Sequence, residues 1–263
     1  MTSPVVPDQE LIHAPHATLA DYYEGEHGRR AYVRQAFNES AGDYDRIERM
    51  MAFGTGPWYR RRALVRSGLA AGMEVLDVAI GTGLVAREAV GIVGDAGKVV
   101  GVDPSIGMLR SSASRPLDIR AVQGMAENLP FASDRFRFLS MGFALRHMSD
   151  LAIVFAEFHR VLEPGGTVCV LEITRPKGPI ARGVLKTYMR GIIPFLARFA
   201  GSHRNTAHLF KYFWDTIEGC VPPESVMAAL RHAGFEEVKR VVEVGIFSEY
   251  TGRKPRGPGA GAV

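Results

Sequence analysis

Residues 75–83 constrain the fold of this chain more than any other stretch. They read Val-Leu-Asp-Val-Ala-Ile-Gly-Thr-Gly, which is typical of a buried strand that ends in a glycine turn, with a helix opening at Leu84. The two glycines permit positive φ angles and let a ligand approach the backbone closely. The helix presents unpaired N–H groups and a partial positive charge to the turn. The stretch therefore predicts a cofactor site of nucleotide type.

Two cofactors fit this turn. Gly81, Gly83 and Ala86, followed by Asp103 about twenty residues on, also satisfy the dinucleotide fingerprint. Asp77 favours S-adenosylmethionine, because a carboxylate ahead of the turn would repel a pyrophosphate and attract an α-ammonium group. S-adenosylmethionine carries that ammonium, a carboxylate for the helix end and no phosphate. We therefore predict S-adenosylmethionine, with a nicotinamide dinucleotide as the alternative.

Strands and helices alternate from residue 73 onward, which indicates a mostly parallel sheet with helices on both faces. Strands are predicted at 73–79, 98–103, 119–123, 136–142, 166–173, 235–243 and 244–251, the last of them antiparallel. Helices are predicted at 83–93, 105–113, 149–162 and 222–233. The fold class is therefore α/β, with a Rossmann-like sheet of seven strands. Ligands of such sheets bind at the carboxyl ends of the strands.

The remaining segments are predicted to flank this sheet. Residues 1–18 are rich in Pro and His and are expected to be disordered, whereas residues 19–70 form an N-terminal helical cap over a cleft. Residues 71–251 form the cofactor-binding domain, and the Gly-Pro-basic tail, 252–263, is expected to be disordered. Within the domain, a helical and aromatic insertion at 175–221 is predicted to be a lid over an apolar substrate. Its aromatic stripe fits plain helix-to-sheet packing equally well.

Charge and cysteine content bound the partners and the compartment. The net charge is +4, and the basic runs Arg29-Arg30 and Arg60-Arg61-Arg62 are too short to indicate nucleic acid. We expect them on solvated helix faces, with contact to an anionic membrane surface as the alternative. Two cysteines fit a reducing compartment, so a cytoplasmic location is expected. The sequence contains no apolar run long enough to span a membrane.

Two stretches after the glycine turn complete the predicted cofactor site. Asp103 ends the second strand, where a carboxylate can accept hydrogen bonds from a ribose diol; the alternative is a helix N-cap. Met125 and Ala126 follow the third strand, and their backbone groups are placed to read an adenine edge. Met108 would pack on the adenine, although a helical Met is more often a core residue.

Together these stretches resemble the class I S-adenosylmethionine-dependent methyltransferases. More narrowly, they resemble the C-methyltransferases of ubiquinone and menaquinone biosynthesis. The closest similarity lies in residues 160–174, Arg-Val-Leu-Glu-Pro-Gly-Gly-Thr-Val-Cys-Val-Leu-Glu-Ile-Thr. The other carrying stretches are 75–83, 102–109 and 126–131, and residues 44–54 resemble the family's N-terminal signature more loosely. The resemblance covers about residues 40–240.

This resemblance implies site residues. The implied cofactor contacts are Gly81, Thr82, Gly83, Asp103, Met125, Ala126 and Gly142. Asp77, Ala79, Pro104 and Met108 complete the predicted cofactor-binding set, and Tyr44, Phe143, Tyr188 and Tyr212 are the predicted substrate contacts. The chain departs from the family pattern near the substrate, where residues 143–147 read Phe-Ala-Leu-Arg-His in place of Phe-Gly-x-Arg-Asn. No metal is predicted, because the histidines lack carboxylate or cysteine partners at ligand spacing.

Arg146 and His147, directly after the fourth strand, are the predicted catalytic residues. Methyl transfer to an aromatic carbon requires a phenolate, which a base can generate and a cation can stabilise. We expect Arg146 to stabilise the phenolate and His147 to act as the base, with a pKa near the working pH. Alternatively, Arg146 pairs with a carboxylate such as Asp150, and His147 is an ordinary residue at a helix start.

The predicted enzyme is an S-adenosylmethionine-dependent methyltransferase that C-methylates a hydroquinone or a related phenol. The alternatives are an O- or N-methyltransferase of a natural-product small molecule, a dinucleotide-dependent oxidoreductase, and a cofactor-binding subunit without catalysis. The expected partner is a small apolar or aromatic acceptor, and no nucleic acid is expected. Peripheral membrane contact and a homodimer are both compatible with the sequence.

Overall fold

A seven-stranded sheet runs through the computed structural model, which describes residues 14–42, 44–51, 54–113, 118–195 and 206–257. The strands are β1 (Val75–Val78), β2 (Val99–Asp103), β3 (Arg120–Gln123), β4 (Phe136–Gly142), β5 (Leu162–Ile173), β6 (Glu236–Glu243) and β7 (Phe247–Arg253). Their order is β3-β2-β1-β4-β5-β7-β6. All neighbours pair in parallel except β7, which is antiparallel to both β5 and β6. The predicted Rossmann-like fold class is confirmed.

Helices connect the strands and form the N-terminal region and the insertion. They are α1 (Gly25–Ser40), α2 (Tyr44–Met51), α3 (Gly56–Arg66), α4 (Leu84–Val93), α5 (Ile106–Ala113), α6 (Leu151–Val161), α7 (Pro179–Thr187), α8 (Thr206–Gly219) and α9 (Pro223–His232). A π-helical turn, Tyr188–Ile192, extends α7. The largest departure from the predicted bounds is β5, which begins at Leu162 rather than residue 166, because its pairing with β4 passes through a register shift.

The order of the strands fixes where a ligand can bind. From β1 the chain runs outward through β2 to β3 and then returns to β4 on the other side of β1. The connections diverge at the carboxyl ends of β1 and β4, and such a switch point leaves a crevice in doubly wound sheets. Every residue of β1 and β2 is buried, because helices cover both faces of a parallel sheet.

The insertion packs mainly against the N-terminal helices. Tyr212, Phe213 and Trp214 of α8 are buried in one cluster with Tyr23, and Tyr32 of α1 lies at the edge of that cluster. The apolar face predicted for the N-terminal helices contacts the same cluster through Tyr32, Ala36, Phe37 and Tyr44. Most aromatic side chains of the insertion therefore belong to a core that is shared with the N-terminal helices.

Two arginines of the predicted solvated runs are buried, so that prediction is wrong for them. Arg29 is fully buried and donates to the carbonyl oxygens of His16, at 2.8 Å, and Met148, at 3.0 Å. Arg60 is also buried and pairs with Glu48. A guanidinium removed from water requires such acceptors, and these acceptors become available only through tertiary folding.

Described residues at both chain ends, within the segments predicted to be disordered, contact the rest of the protein. Pro15 accepts a hydrogen bond from the amide of Val221 at 2.8 Å, and His16 is buried. At the other end, β7 continues to Arg253, and the Lys254 amide donates to Gly166. Residues 1–13 and 258–263 lie outside the described residues, as do Phe199 and His203 of the insertion. Among the described helices, none is long and apolar enough to cross a bilayer.

Candidate active site

The glycine turn after β1 has the backbone that its sequence predicts. Gly81 and Gly83 have φ angles of +54° and +86°, in the left-handed region that favours glycine. The amide of Gly83 donates to Ile80 at 2.9 Å, and α4 begins at the next residue. The hydroxyl of Thr82 donates to Asp45 of α2, so the N-terminal helices contact the turn directly.

Asp103 organises the loop after β2. Its two carboxylate oxygens accept hydrogen bonds from the amides of Gly81 and Ser105, each at 2.8 Å. Burial raises the pKa of Asp103 to about 6, and these two hydrogen bonds oppose the rise. Ser105, rather than Asp103, accepts from the amide of Met108 in the first turn of α5. The N-cap alternative therefore fits Ser105, and Asp103 retains lone pairs for a ligand.

A cavity of about 380 Å³, the large chamber, lies at the carboxyl ends of β1, β2 and β4. Most of the predicted cofactor-binding residues line it: Ala79, Gly81, Asp103, Pro104, Met108, Met125, Ala126 and Gly142. Helix α1 forms the opposite wall with Ala31, Arg34 and Phe37. Asn38 of α1 fixes this wall, because it accepts hydrogen bonds from the Ser105 hydroxyl and the Gly107 amide.

The lining of the large chamber fits S-adenosylmethionine. Asp103 offers carboxylate oxygens for a ribose diol, and the thioethers of Met108 and Met125 offer soft apolar surfaces for an adenine. Gly142 has no room for a side chain, since a Cβ built there would lie 2.6 Å from Cγ2 of Val85. The amides of Gly81 and Gly83 already donate to Asp103 and Ile80, so a carboxylate at the start of α4 would bind the amides that follow them.

Asp77 does not line the large chamber. It lies within β1, is 1% exposed, and accepts a hydrogen bond at 2.7 Å from the hydroxyl of Ser140 on β4. Burial raises the pKa of the Asp77 carboxyl to about 7, against the effect of the Ser140 hydroxyl and the Ala86 amide. Asp77 therefore lies beneath the glycine turn. Direct contact between its carboxylate and an α-ammonium group stays a prediction.

A second cavity of about 110 Å³, the small chamber, adjoins the first. Residues that line both chambers are Tyr44, Ala79, Gly81, Gly142 and Phe143. The remaining walls of the small chamber are largely apolar and include Val85, Ile173, Leu185, Met189 and Phe213. An apolar cavity of about 150 Å³ binds benzene, so the small chamber has the scale of one aromatic ring.

Two residues of the shared wall have strained backbones. Ala79 and Phe143 follow β1 and β4, and their φ angles are +55° and +59°. Side chains other than glycine rarely adopt this region, and such residues cluster at functional sites. Tyr44 lies in the same wall, and burial raises the pKa of its phenol to about 12, so that it stays a neutral hydrogen-bond donor.

Arginine–glutamate pairs supply the charge of the small chamber. Arg146 lines the chamber and pairs with Glu172 at the end of β5, and both side chains are buried. The predicted alternative partner, Asp150, instead caps α6 by accepting from the amide of Ala152 at 2.8 Å. Arg60 also lines the chamber, with its partner Glu48. Among the described residues, neither Nε of Arg60 nor Nε of Arg146 has a hydrogen-bond acceptor.

His147 lines the large chamber, while Arg146 lines the small one. Nδ1 of His147 lies 3.1 Å from the hydroxyl of Tyr212, and Nε2 is buried without a partner within the described part of the chain. Burial, with the charge of Arg146 nearby, holds the pKa of His147 well below its usual value. The expectation of a pKa near the working pH is therefore wrong, and the ring is neutral at neutral pH.

The predicted substrate contacts divide into two groups. Tyr44, Phe143 and Tyr188 line the small chamber. Tyr212 lines neither chamber, because it is fully buried behind His147 in the aromatic cluster. Thr82 lines the small chamber rather than the large one. Sequence reasoning missed Glu48, Arg60, Phe37, Asn38 and Glu172, which reach the site only through tertiary contacts.

Comparison with known proteins gives a family match over most of the chain. Residues 26–254 match the family described as the ubiE/COQ5 methyltransferase family. The ubiquinone/menaquinone biosynthesis C-methyltransferase UbiE of Legionella pneumophila strain Philadelphia 1 is 33% identical over 211 residues, which cover 78% of this chain and 83% of the relative. The demethylmenaquinone methyltransferase of Chlorobaculum parvum is 31% identical over 214 residues, covering 80% and 87%.

Solved structures with the same fold are more distant in sequence. An S-adenosylmethionine-dependent methyltransferase of Thermotoga maritima, described as a possible histamine N-methyltransferase, has a TM-score of 0.60 at 20% identity, covering 84% of this chain and 99% of that one. The [4+2]-cyclase SpnF has a TM-score of 0.59 at 19% identity, covering 86% and 96%. At this identity the likeness shows the fold alone.

Proposed function

Because the chain belongs to the ubiE/COQ5 methyltransferase family and is an S-adenosylmethionine-dependent methyltransferase, we propose that it methylates a ring carbon of a hydroquinone. The observation that carries this proposal is the wall shared by the two chambers. The large chamber presents groups suited to the cofactor, and the small chamber has the scale of one ring. Their common wall is the place where the two reactants can meet.

The residues of the chain position the two reactants and exclude water from the site. When bound, S-adenosylmethionine supplies an electrophilic methyl group on a sulfonium sulfur. Asp103 and the glycine turn hold the cofactor end of the site, and Ala79 and Phe143 set the width of the common wall. The apolar walls of the small chamber exclude water, which strengthens every charge interaction within it.

Arg146 is proposed to stabilise the acceptor as a phenolate. A ring carbon becomes a nucleophile when the hydroxyl beside it ionises, and a buried cation favours that ionisation. Glu172 holds the guanidinium in place from the end of β5. Arg60 brings a second guanidinium to the same chamber together with its partner Glu48, so Arg146, whose partner lies outside the lining, is the cation proposed to meet the oxyanion.

His147 is proposed as the base that takes a proton from the acceptor. Burial holds its pKa well below the usual value, so the ring is neutral and free to accept a proton but is a weaker base than a solvated histidine. Because His147 lines the large chamber, the acceptor hydroxyl would have to reach it across the common wall. The contact between Nδ1 and Tyr212 orients the ring. We also place the protein in the cytoplasm, because Cys169 and Cys220 are both free thiols, as expected in a reducing compartment.

Product analysis tests this function. The protein is incubated with methyl-labelled S-adenosylmethionine and a short-chain demethylated benzohydroquinone, and NMR locates the label. A carbon-bound methyl group is expected. A methoxyl product would favour the O-methyltransferase alternative, and the absence of any methylated quinol, despite cofactor binding, would contradict the proposed acceptor class.

The Arg146→Ala variant tests the role of the arginine. We expect turnover to fall at least about a hundredfold, as for the loss of an oxyanion-stabilising group, while the dissociation constant of S-adenosylmethionine stays unchanged. Calorimetry measures cofactor binding, and Arg146→Lys serves as the charge-conserving control. Turnover of Arg146→Ala equal to that of the wild type would remove Arg146 from the mechanism.

A further inference from the structure

A third and larger space, the α7 groove, lies outside the two chambers. It encloses about 1650 Å³ and is bounded by α7 with its π-helical turn on one side and by the turn between β6 and β7 on the other. Leu185, Tyr188 and Ile246 line both this groove and the small chamber. The groove and the small chamber are therefore neighbours, separated by these three side chains.

Aliphatic side chains are exposed on both sides of the α7 groove. Ile180, Val184 and Ile192 are 82%, 65% and 47% exposed on the helical side, and Val242 and Val244 are 43% and 82% exposed on the other. The helical residues recur at intervals of four or eight, which places them along one stripe. Contiguous exposed apolar surface of this kind marks an interaction site.

The helical segment that carries this stripe is packed against the protein on its other face. Leu185, Met189 and Ile193 lie on the neighbouring face of the same helical segment and are buried in the aromatic cluster. The segment is therefore held against the protein by one apolar face while it presents a second apolar face outward. Packing of the segment against the protein explains why its first face is apolar, but it does not explain why the exposed face is apolar too.

The charge of this region identifies the kind of surface that would cover it. The described residues 173–195 contain five Lys or Arg and no Asp or Glu, and the lining of the groove holds four cations against one acidic residue, Glu224. Lys177, Lys186 and Arg190 are exposed, and Arg182 pairs with Glu218. Such a concentration of cations around aliphatic side chains matches a lipid surface with anionic headgroups.

We propose that the α7 groove and its exposed stripe dock on an anionic lipid bilayer. Ile180, Val184 and Val244 enter the boundary between headgroups and acyl chains, and Lys177 and Lys186 meet the lipid phosphates. A second copy of this chain fits less well, since a symmetric contact would oppose two cationic faces. The role of the α7 groove as the route by which an apolar acceptor leaves the bilayer rests on the proposed function.

Vesicle flotation tests the docking with the full chain. We expect the protein to float with vesicles of phosphatidylcholine and phosphatidylglycerol, and to do so less as salt rises. The Ile180→Ser/Val184→Ser variant is expected to lose at least about tenfold in partition coefficient through lost apolar insertion. The Lys177→Glu/Lys186→Glu variant is expected to lose at least about tenfold through lost attraction to the anionic lipid.

The matched control is Ile153→Ser, which removes a side chain that is 48% exposed on α6 and outside the α7 groove. It is expected to float like the wild type, and thermal unfolding verifies that every variant is folded. The proposal would be overturned if the two double variants bound the anionic vesicles as strongly as the wild type does. Failure to bind anionic vesicles would also overturn it, as would binding to a labelled oligonucleotide that excludes the vesicles. Because flotation uses no acceptor, these results are independent of whether the quinol assignment holds.

Discussion

Asp77 keeps a carboxyl group in the interior of β1 at a cost in stability. Its pKa rises from about 3.8 in the unfolded chain to about 7 in the folded protein, so the folded state binds the proton more tightly. The contribution of Asp77 to stability is therefore greatest at low pH and is lost as the pH rises through 7. Asp77 destabilises the protein at neutral pH and lies beneath the cofactor turn. We therefore expect it to serve ligand binding rather than stability.

The Asp77→Asn variant tests this view. Asn cannot ionise and keeps an acceptor for the Ser140 hydroxyl, so its stability relative to the wild type should rise by about 2–3 kcal/mol between pH 5 and pH 8. Urea denaturation without cofactor at the two pH values measures the change. Asp21→Asn, at an exposed site, provides the control and should show no such rise. A difference that does not depend on pH would place the pKa of Asp77 near its ordinary value.

Single residues also show what a sequence can and cannot predict about a site. The positive φ angles of Gly81 and Gly83 and the place of Asp103 at the end of β2 were predictable, because they depend on local backbone geometry and on spacing along the chain. Their contacts with the cofactor stay predictions. Arg60 was assigned to a solvated face because its partner, Glu48, lies on another helix. The shift of the His147 pKa was misjudged for the same reason, since burial is a property of the folded whole.

At the scale of elements, α2 is fastened to the glycine turn through one side-chain contact. Thr82 is 1% exposed, and its hydroxyl donates to Asp45 in the first turn of α2. Tyr44, the neighbouring residue, lines both chambers. The position of α2 therefore affects the shape of the wall where the chambers meet.

The Thr82→Val variant tests this coupling, because valine keeps the volume and removes the hydroxyl. We expect a loss of about 1 kcal/mol in the free energy of unfolding and faster hydrogen exchange of the α2 amides, with α4 unchanged. Thr216→Val is the matched control, since the buried Thr216 hydroxyl bonds within its own helix at 2.9 Å. Equal exchange of α2 in both variants would show that other contacts hold the helix.

The elements themselves were predicted more fully than their contacts. All seven predicted strands are present, including the antiparallel last strand, although every residue of β3 is exposed. The sequence left two interpretations of the insertion open, a lid or plain packing. The structure places most of its aromatic side chains in a core shared with α1, a pairing between distant segments that periodicity alone does not specify. Closure of the insertion as a lid stays a prediction.

For the whole molecule, the prediction of the family, the methyltransferase class and S-adenosylmethionine is confirmed by the match over residues 26–254 and by the relatives. The competing dinucleotide interpretation rested on the glycine pattern and the spacing of Asp103, and both features are shared by the two cofactor classes. The boundaries of the cap and tail, and the predicted homodimer, remain predictions.

Arg29 connects three distant parts of the molecule. From α1 it bonds the carbonyl of His16 near the N-terminus and that of Met148 in the loop before α6. Replacing it with Met leaves both buried carbonyls without this donor, so the Arg29→Met variant should lose about 3 kcal/mol in the free energy of unfolding. Urea denaturation measures the loss. Arg49→Met, at an exposed position on α2, should change stability little, and a similar small effect for Arg29→Met would refute the connection.

Different helices border the two chambers: α1 forms a wall of the large chamber, and α7 with its π-helical turn forms a wall of the small one. An enzyme seated on a bilayer by its exposed α7 stripe would leave the α1 wall outside that contact. Spent nucleoside could then be exchanged without detachment, and several acceptor molecules could be modified during a single residence at the surface. Such behaviour would make residence time, rather than the frequency of collision with the membrane, the quantity that sets the yield.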